Sequence, residues 1–370
     1  MSSFSNKIKL YNNIVNIITN NQKFSDILNE KYILNIEGLK KNIFESIDDS
    51  NITNTVLKEV KRVVYIGEIE SDSIKLLKDD GIKTNYANPN TLEFDTYPDK
   101  VVIKDKENIT ITNKETTNTI VLMRSGYSDT IVYLLNEIAK LGILIINGVE
   151  SVKTSSNKFN SSQLLNKYKI SQPKYCLITS NDVSKDDTKG LDDKIKTLYD
   201  KVDDDTKFVC KILGGHGGKG VFICKTSNIV SIMQCAFKLK ADTKILVQEY
   251  IPIKDGDIRV NVLSLNGKQK IFNVTMRKKE SKDFRTNLSL GNTLIENVEL
   301  TKEQEQLALN AAKASRLIWA GVDLLPSEKK TYVLELNGSP GPMSDINSNN
   351  ATEVNYKFDK KLIETINELC

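Results

Sequence analysis

The sequence predicts an α/β chain, α+β overall, divided into two or three domains. Three observations carry that expectation. The chain has 370 residues with 39% apolar and 27% charged side chains, more than one hydrophobic core holds comfortably. From Arg62 onward, β-rich apolar runs alternate with helically spaced segments. A glycine-rich stretch is entered and left by strand-like sequence, and two later apolar strands carry carboxylates.

Residues 1–60 form the least patterned segment. Ile8, Leu10, Ile14, Ile17, Ile18, Leu28 and Leu34 fall at loosely helical spacing, interrupted by polar clusters, which predicts a small helical N-terminal extension. The pattern sharpens at Arg62-Val63-Val64-Tyr65-Ile66-Gly67, followed by the helical step Ile74–Leu77 and a strand near Ile82–Tyr86, the β-α-β opening of a parallel sheet. Val101, Ile103, Ile109 and Ile111 flank a turn-like Lys104–Asn108 and predict a hairpin inserted beside that sheet, shaping a surface. A strand over Ile120–Met123, a helix over Ile131–Lys140 and a strand over Leu144–Ile146 complete a domain over residues 61–155.

After Asn157 come a helix through Phe159, Leu164, Leu165 and Tyr168, a strand at Tyr175–Thr179, and an acidic, lysine-rich stretch with one helix around Ile195–Tyr199. Phe208–Leu213 then runs as a strand into Gly214-Gly215-His216-Gly217-Gly218-Lys219-Gly220 and out into Val221-Phe222-Ile223. Glycines let backbone amides approach an anion closely, so a phosphate-covering hairpin is the functional reading and a bare flexible tip the plain one. Neither a Walker loop nor a dinucleotide fingerprint fits, because both lead from strand to helix. Lys211, just before the loop, places an ammonium where phosphates would lie. Ile245–Ile251 is a buried-looking strand able to offer backbone groups to an adenine edge, with Asp257 near a ribose.

Val322–Leu325 and Val333–Asn337 predict a hairpin around the charged turn Pro326–Lys330. Period two puts Val333, Glu335 and Asn337 on one face, with Leu334 and Leu336 in the core behind. With Asp323 opposite, three oxygen-bearing side chains converge in a set suited to Mg²⁺. The alternative is a polar strand edge facing water, which sits poorly with carboxylates in such apolar strands. The cationic stretch Met276–Leu288 has one aromatic, too few for a nucleic-acid stacking platform, whereas Arg285 and Lys278 fit a transferring phosphoryl group with Asn287 beside the metals.

Composition excludes other classes. The single histidine, His216, cannot build a multi-histidine metal site, and the net charge of +4 gives no argument for nucleic acid. Five cysteines without CxxC spacing fit a reducing compartment. No apolar run reaches bilayer length and no signal-peptide block opens the chain, so the expectation is a soluble, cytoplasmic protein with no membrane and no nucleic-acid partner.

Taken together, Arg124-Ser125-Gly126, Asn147-Gly148, Asn157-Lys158, KILGGHGGKGV from Lys211, LVQEYI from Leu246, GDIRV from Gly256, DFRTNLSLG from Asp283, AGVDLL from Ala320 and LELNGSPG from Leu334 resemble the ATP-grasp superfamily, most closely its RimK-like branch of carboxylate-amine (glutamate) ligases. The resemblance runs from about Arg62 to Ile346. It implies an ATP-grasp fold: an open α/β pre-ATP-grasp domain (61–155), a central lid (156–250) and a C-terminal catalytic domain (251–370). It further implies ATP, two Mg²⁺ ions with Mn²⁺ able to substitute, and an ADP-forming ligation through an acylphosphate. An amino acid such as glutamate would be joined to a carboxylate-bearing small molecule, peptide or protein tail, with a homo-oligomer compatible. By likeness, Lys158 and Lys211 would contact phosphates and Gly215, Gly218 and Gly220 would cover them. Gln248, Glu249, Tyr250 and Ile251 would frame adenine, Asp257 would take the ribose, and Asp323, Glu335 and Asn337 would hold metal. Arg259, Arg285, Asn287 and Lys278 would manage phosphate and acyl group. Glycine at Gly214 and His216-Gly217 depart from the polar residues common in relatives, which bears on lid rigidity. A peptide-crosslinking ligase and a non-catalytic ATP-binding scaffold remain alternatives.

Overall fold

The structure, a computed structural model, describes residues 57–370 apart from 68–70, 105–107, 127, 184–187, 215–219, 253–254, 280–292 and 341–350. The expected helical extension lies almost wholly outside the described residues; Leu57 and Val60, at its end, are buried in the core below.

β1 (Arg62–Gly67), β2 (Lys83–Ala87), β6 (Thr119–Arg124) and β7 (Leu144–Ile146) form a parallel sheet in the order β2-β1-β6-β7. All six residues of β1 are buried, as a strand covered on both faces requires. Val64, Ile66, Val121 and Met123 meet Ile131, Leu134, Leu135 and Ile138 of helix α2 (Asp129–Lys140). Those four helical side chains recur at i, i+3, i+4 and i+7, and each contributes about 1.5–3 kcal/mol by leaving water. Ser128 caps α2 by accepting from the Ile131 amide at 3.3 Å. Val63, Tyr65, Ile120 and Leu122 face the other way, toward Leu77 of α1 (Ser71–Asp79).

The inserted element is a three-stranded antiparallel sheet, β3 (Glu93–Thr96), β4 (Lys100–Lys104) and β5 (Ile109–Thr112), where the sequence predicts only the last two strands. Its alternate residues Val101, Ile103, Ile109 and Ile111 are buried in the core shared with α2. It therefore packs into the core, beyond the surface-shaping role expected.

Helices α3 (Val149–Ser156) and α4 (Lys158–Lys167) lead to a second antiparallel sheet of β8 (Tyr175–Ile178), β9 (Lys207–Ile212), β10 (Val221–Lys225) and β11 (Ile245–Glu249), ordered β10-β9-β11-β8. Helices α5 (Lys189–Lys196) and α6 (Thr226–Leu239) cover one face through Leu191, Ile195, Ile229, Met233 and Phe237, against Phe208, Cys210, Ile245 and Val247. Helix α5 begins before the expected Ile195, and α6 was not read from sequence.

The third sheet is antiparallel, β14-β13-β12-β15-β16, built from β12 (Gly256–Leu265), β13 (Lys268–Lys279), β14 (Thr293–Asn297), β15 (Trp319–Pro326) and β16 (Thr331–Asn337). The start of the cationic stretch, through Lys279, is thus a ladder strand. An alanine face of α7 (Lys302–Ser315) packs close to Val260, Val262, Val322 and Leu324. Helix α8 (Ala351–Leu369) inserts Phe358, Leu362 and Ile366 between this sheet, at Trp319 and Phe272, and the parallel sheet, at Tyr65.

The β15–β16 hairpin corrects one expectation. The register pairs Asp323 with Glu335 but Leu324 with Val333, skipping Leu334. This bulge inverts the alternation, so Val333 joins Leu336 in the core while Leu334 is half-buried.

Candidate active site

Two sheet faces carry the candidate residues. In the central sheet, Phe208, Cys210, Ile245 and Val247 point to the helices, so alternation sends Lys211, Leu246 and Gln248 to the opposite face, where Lys211 pairs directly with Leu246. Lys211 is only 6% exposed. Burial pushes its ammonium down to about 8, with Lys158 acting the same way and Glu335 and Asp323 opposing. Those interactions bring Lys158, Lys211, Glu335 and Asp323 into one neighbourhood. Lys158 is the first residue of α4, whose N-terminus is capped by Asn157 accepting from Phe159 and Asn160 amides at 3.0 and 3.1 Å. Helix start and two ammoniums together favour an anion.

Near the end of β11, Gln248 is 2% exposed and its Oε1 lacks a partner among the described residues. The Tyr250 amide donates to the Tyr199 hydroxyl at 2.5 Å, so that N–H is not available to an adenine edge. Glu249 and Ile251 flank it, each half-buried.

In the C-terminal sheet the polar face spans four strands. Arg259 of β12 pairs with Asp323 of β15, which lies opposite Glu335 of β16. Arg259 Nη2 donates to Asp323 Oδ2 at 3.0 Å, and its Nε donates to Oδ1. Arg277 of β13 reaches Asp323 Oδ2 at 2.9 Å and Asp257 Oδ1 at 3.1 Å. Burial works to raise the Asp323 carboxyl, but Arg259 and Arg277 hold it down at about 2. Asn337 Nδ2 donates to Asp323 Oδ2 at 3.3 Å.

Arg277 is the residue the sequence reading missed. Strand alternation gives it, rather than its neighbour Lys278, the face that bears Asp323; Lys278 lies opposite Gly256 with its side chain on the other side. Asp257, expected at a ribose, is fully buried against Arg277. Gly220, at φ +75°, lies against Ile212, whose amide donates to the Gly220 carbonyl at 2.8 Å. Gly215, Gly218, Arg285 and Asn287 lie outside the described residues.

The donor set suits a hard cation: two carboxylates in register and an adjacent amide oxygen, near a buried ammonium with no carboxylate ion pair among the described residues. Such an ammonium is costly alone and fits a polyanion entering between the two faces. Among the described residues no group of three or more His, Cys, Asp or Glu side chains gathers to hold a metal ion, the candidate set being two carboxylates and an amide, and no helix among them is long and apolar enough to cross a membrane.

Comparison with known proteins identifies the family and the fold. The family model for the RimK-like ATP-grasp domain matches residues 155–366. Coenzyme gamma-F420-2:alpha-L-glutamate ligase of Methanocaldococcus jannaschii is 29% identical over 63% of this chain and 73% of its own length. A probable alpha-L-glutamate ligase of Coxiella burnetii is 32% identical over 56% of this chain and 64% of its own. The solved structure of ATP-grasp ligase PsnB complexed with minimal precursor, Mg and ADP covers 85% of the chain and 98% of its own at TM-score 0.56 and 16% identity, a likeness of fold. The chain belongs to the RimK-like ATP-grasp family and is an ATP-grasp ligase that forms carbon–nitrogen bonds.

Proposed function

We propose that this ligase joins an amino acid such as glutamate to a carboxylate-bearing acceptor, a small molecule, peptide or protein tail, with ATP cleaved to ADP and phosphate in the cytoplasm. The buried Lys211 facing Asp323 and Glu335 across two sheets is the observation that carries the reading. The acceptor carboxylate takes the γ-phosphoryl group to give an acylphosphate and ADP; the amine then attacks the acyl carbon, expelling phosphate and losing a proton.

In this reading the chain has a pre-ATP-grasp domain over 61–155, a central lid over 156–250 and a catalytic domain over 251–370. Lys158 and Lys211 bind phosphates beneath the Gly215–Gly220 loop, and Gln248 with Glu249 and Ile251 frames the base. Asp323, Glu335 and Asn337 hold two Mg²⁺ ions, which supply charge neutralisation of the polyphosphate. Arg259 orients Asp323 and, with Arg285 and Asn287, steadies the phosphoryl and acyl groups. Arg277 fixes Asp323 and Asp257 relative to one another. Closure of the lid keeps water from the acylphosphate.

The test is incubation with Mg²⁺-ATP and a panel of amino acids and acceptors, read for amide products by mass spectrometry and for ADP. Glu335→Ala is expected to cut turnover by at least about 100-fold. ATP binding with no ADP or amide from any pair, unchanged in that variant, would instead indicate a regulatory scaffold.

A further inference from the structure

The turn that follows Asn337 is fixed from the parallel sheet. Asn147, directly after β7, is 1% exposed. Its Nδ2 donates to the carbonyls of Trp319 and Gly338, both at 2.6 Å, and its Oδ1 accepts from the Trp319 amide at 2.8 Å. Gly321 and Asn337 form the last paired rung at this end of β15 and β16. Asn147 therefore stands beyond that rung and bridges the two strands with a side-chain amide that acts as a peptide group would.

The neighbouring positions are held from the same side. Ser339 donates its hydroxyl to the Met123 carbonyl at 3.1 Å, and Arg124 Nη1 donates to the Pro340 carbonyl at 3.2 Å. Arg124 lies 4.8 Å from the Trp319 ring and pairs with the buried Asp359 of α8. Gly338 is closely packed, since a Cβ there would stand 2.7 Å from Ser155 Oγ. Three successive residues, 338, 339 and 340, are thus hydrogen-bonded to the carboxyl ends of β6 and β7.

We propose that Asn147 is a positioning residue for the metal-binding face, an inference that rests on the ligase reading above. Its side-chain amide bonds the backbone of Trp319 and Gly338. It sets the spacing of the strands that carry them, Trp319 lying four residues before Asp323 and Gly338 one after Asn337. Loss of its two N–H donors lets the end of the hairpin open and separates the oxygen donors, while Lys158 and Lys211 keep their hold on phosphate.

The test is Mn²⁺ binding to the full chain with a non-hydrolysable ATP analogue, followed by electron paramagnetic resonance, alongside analogue binding without metal. Asn147→Asp keeps the shape but turns a carboxylate toward two carbonyls; it is expected to weaken Mn²⁺ by roughly tenfold or more, with metal-free analogue binding unchanged. Ser339→Ala moves Mn²⁺ affinity the same way by a smaller factor and decides alone should Asn147→Asp not fold. Ile138→Ala, buried in the other core, lowers stability without moving Mn²⁺ affinity. Wild-type Mn²⁺ affinity in the folded Asn147→Asp protein, or in Ser339→Ala, overturns the inference. Absence of Mn²⁺-analogue binding by the wild type instead sinks the ligase reading.

Discussion

The central and C-terminal sheets both bury charge on the faces that meet at the site, but they do so in opposite ways. Asp323, Asp257, Arg259 and Arg277 neutralise one another within hydrogen-bonding distance. Lys211 is buried without a carboxylate ion pair among the described residues, answered only by the fields of Glu335 and Asp323. The first arrangement is electrically complete and fixes geometry; the second is complete only when an anion arrives. A site that must hold donors rigidly and yet admit a polyphosphate needs both.

The sharpest way to break this contrast is Asp323→Ala. It leaves the buried Arg259 guanidinium without its carboxylate, Arg277 keeping Asp257, and is expected to cost about 3–5 kcal/mol in denaturant unfolding; a loss below about 1 kcal/mol would show that the network does not carry the face. The conservative Asp323→Asn should lose less, because the amide still accepts from one guanidinium.

Lys211→Met has the opposite sign. The folded ammonium titrates at about 8 against an ordinary value of 10.5. Below pH 8 both folded and unfolded chains hold the proton, and the folded chain carries the full penalty of burying it. Between 8 and 10.5 the unfolded chain binds more protons, so wild-type stability rises with pH. Nucleotide-free Lys211→Met should therefore exceed wild type by about 3 kcal/mol at most near neutral pH, with the gap closing toward pH 10.5. A gap independent of pH would contradict the assignment.

Tyr199→Phe is the smallest of these changes. The Tyr199 hydroxyl donates to the Lys207 carbonyl at 2.6 Å and accepts from the Tyr250 amide, tying β9 to the segment after β11. Its loss should cost about 1 kcal/mol and leave the C-terminal sheet untouched, which hydrogen exchange at β12 and β15 would check.

Much of the fold was legible because period and punctuation are local. The six-residue run ending at Gly67, the strands on either side of the glycine loop and the Asp323–Glu335 hairpin are all marked by short apolar runs bounded by turn residues. Helix α6 went unread although Ile229, Met233 and Phe237 form a stripe, because the glycine loop before it and the strand after it drew the stronger signals. Helix α7 buries alanines, which carry little hydrophobic contrast.

At the site, residue types were readable but their facing was not. One skipped residue at Leu334 exchanges the roles of Val333 and Leu334, and bulges leave no mark in a period-two pattern. Arg277 could not be told from Lys278 until β13 had a register, and Asn147 acts on backbone groups 172 and 191 residues away.

In the proposed ligase one sheet face binds phosphate and the other binds metal. Calorimetric titration of a non-hydrolysable ATP analogue, with and without Mg²⁺, into wild type, Lys211→Met and Glu335→Gln tests it most directly. Lys211→Met should weaken binding in both conditions, while Glu335→Gln should remove only the increment that Mg²⁺ adds. An Mg²⁺ increment of full size in Glu335→Gln, or metal-free binding unchanged in Lys211→Met, would contradict the division.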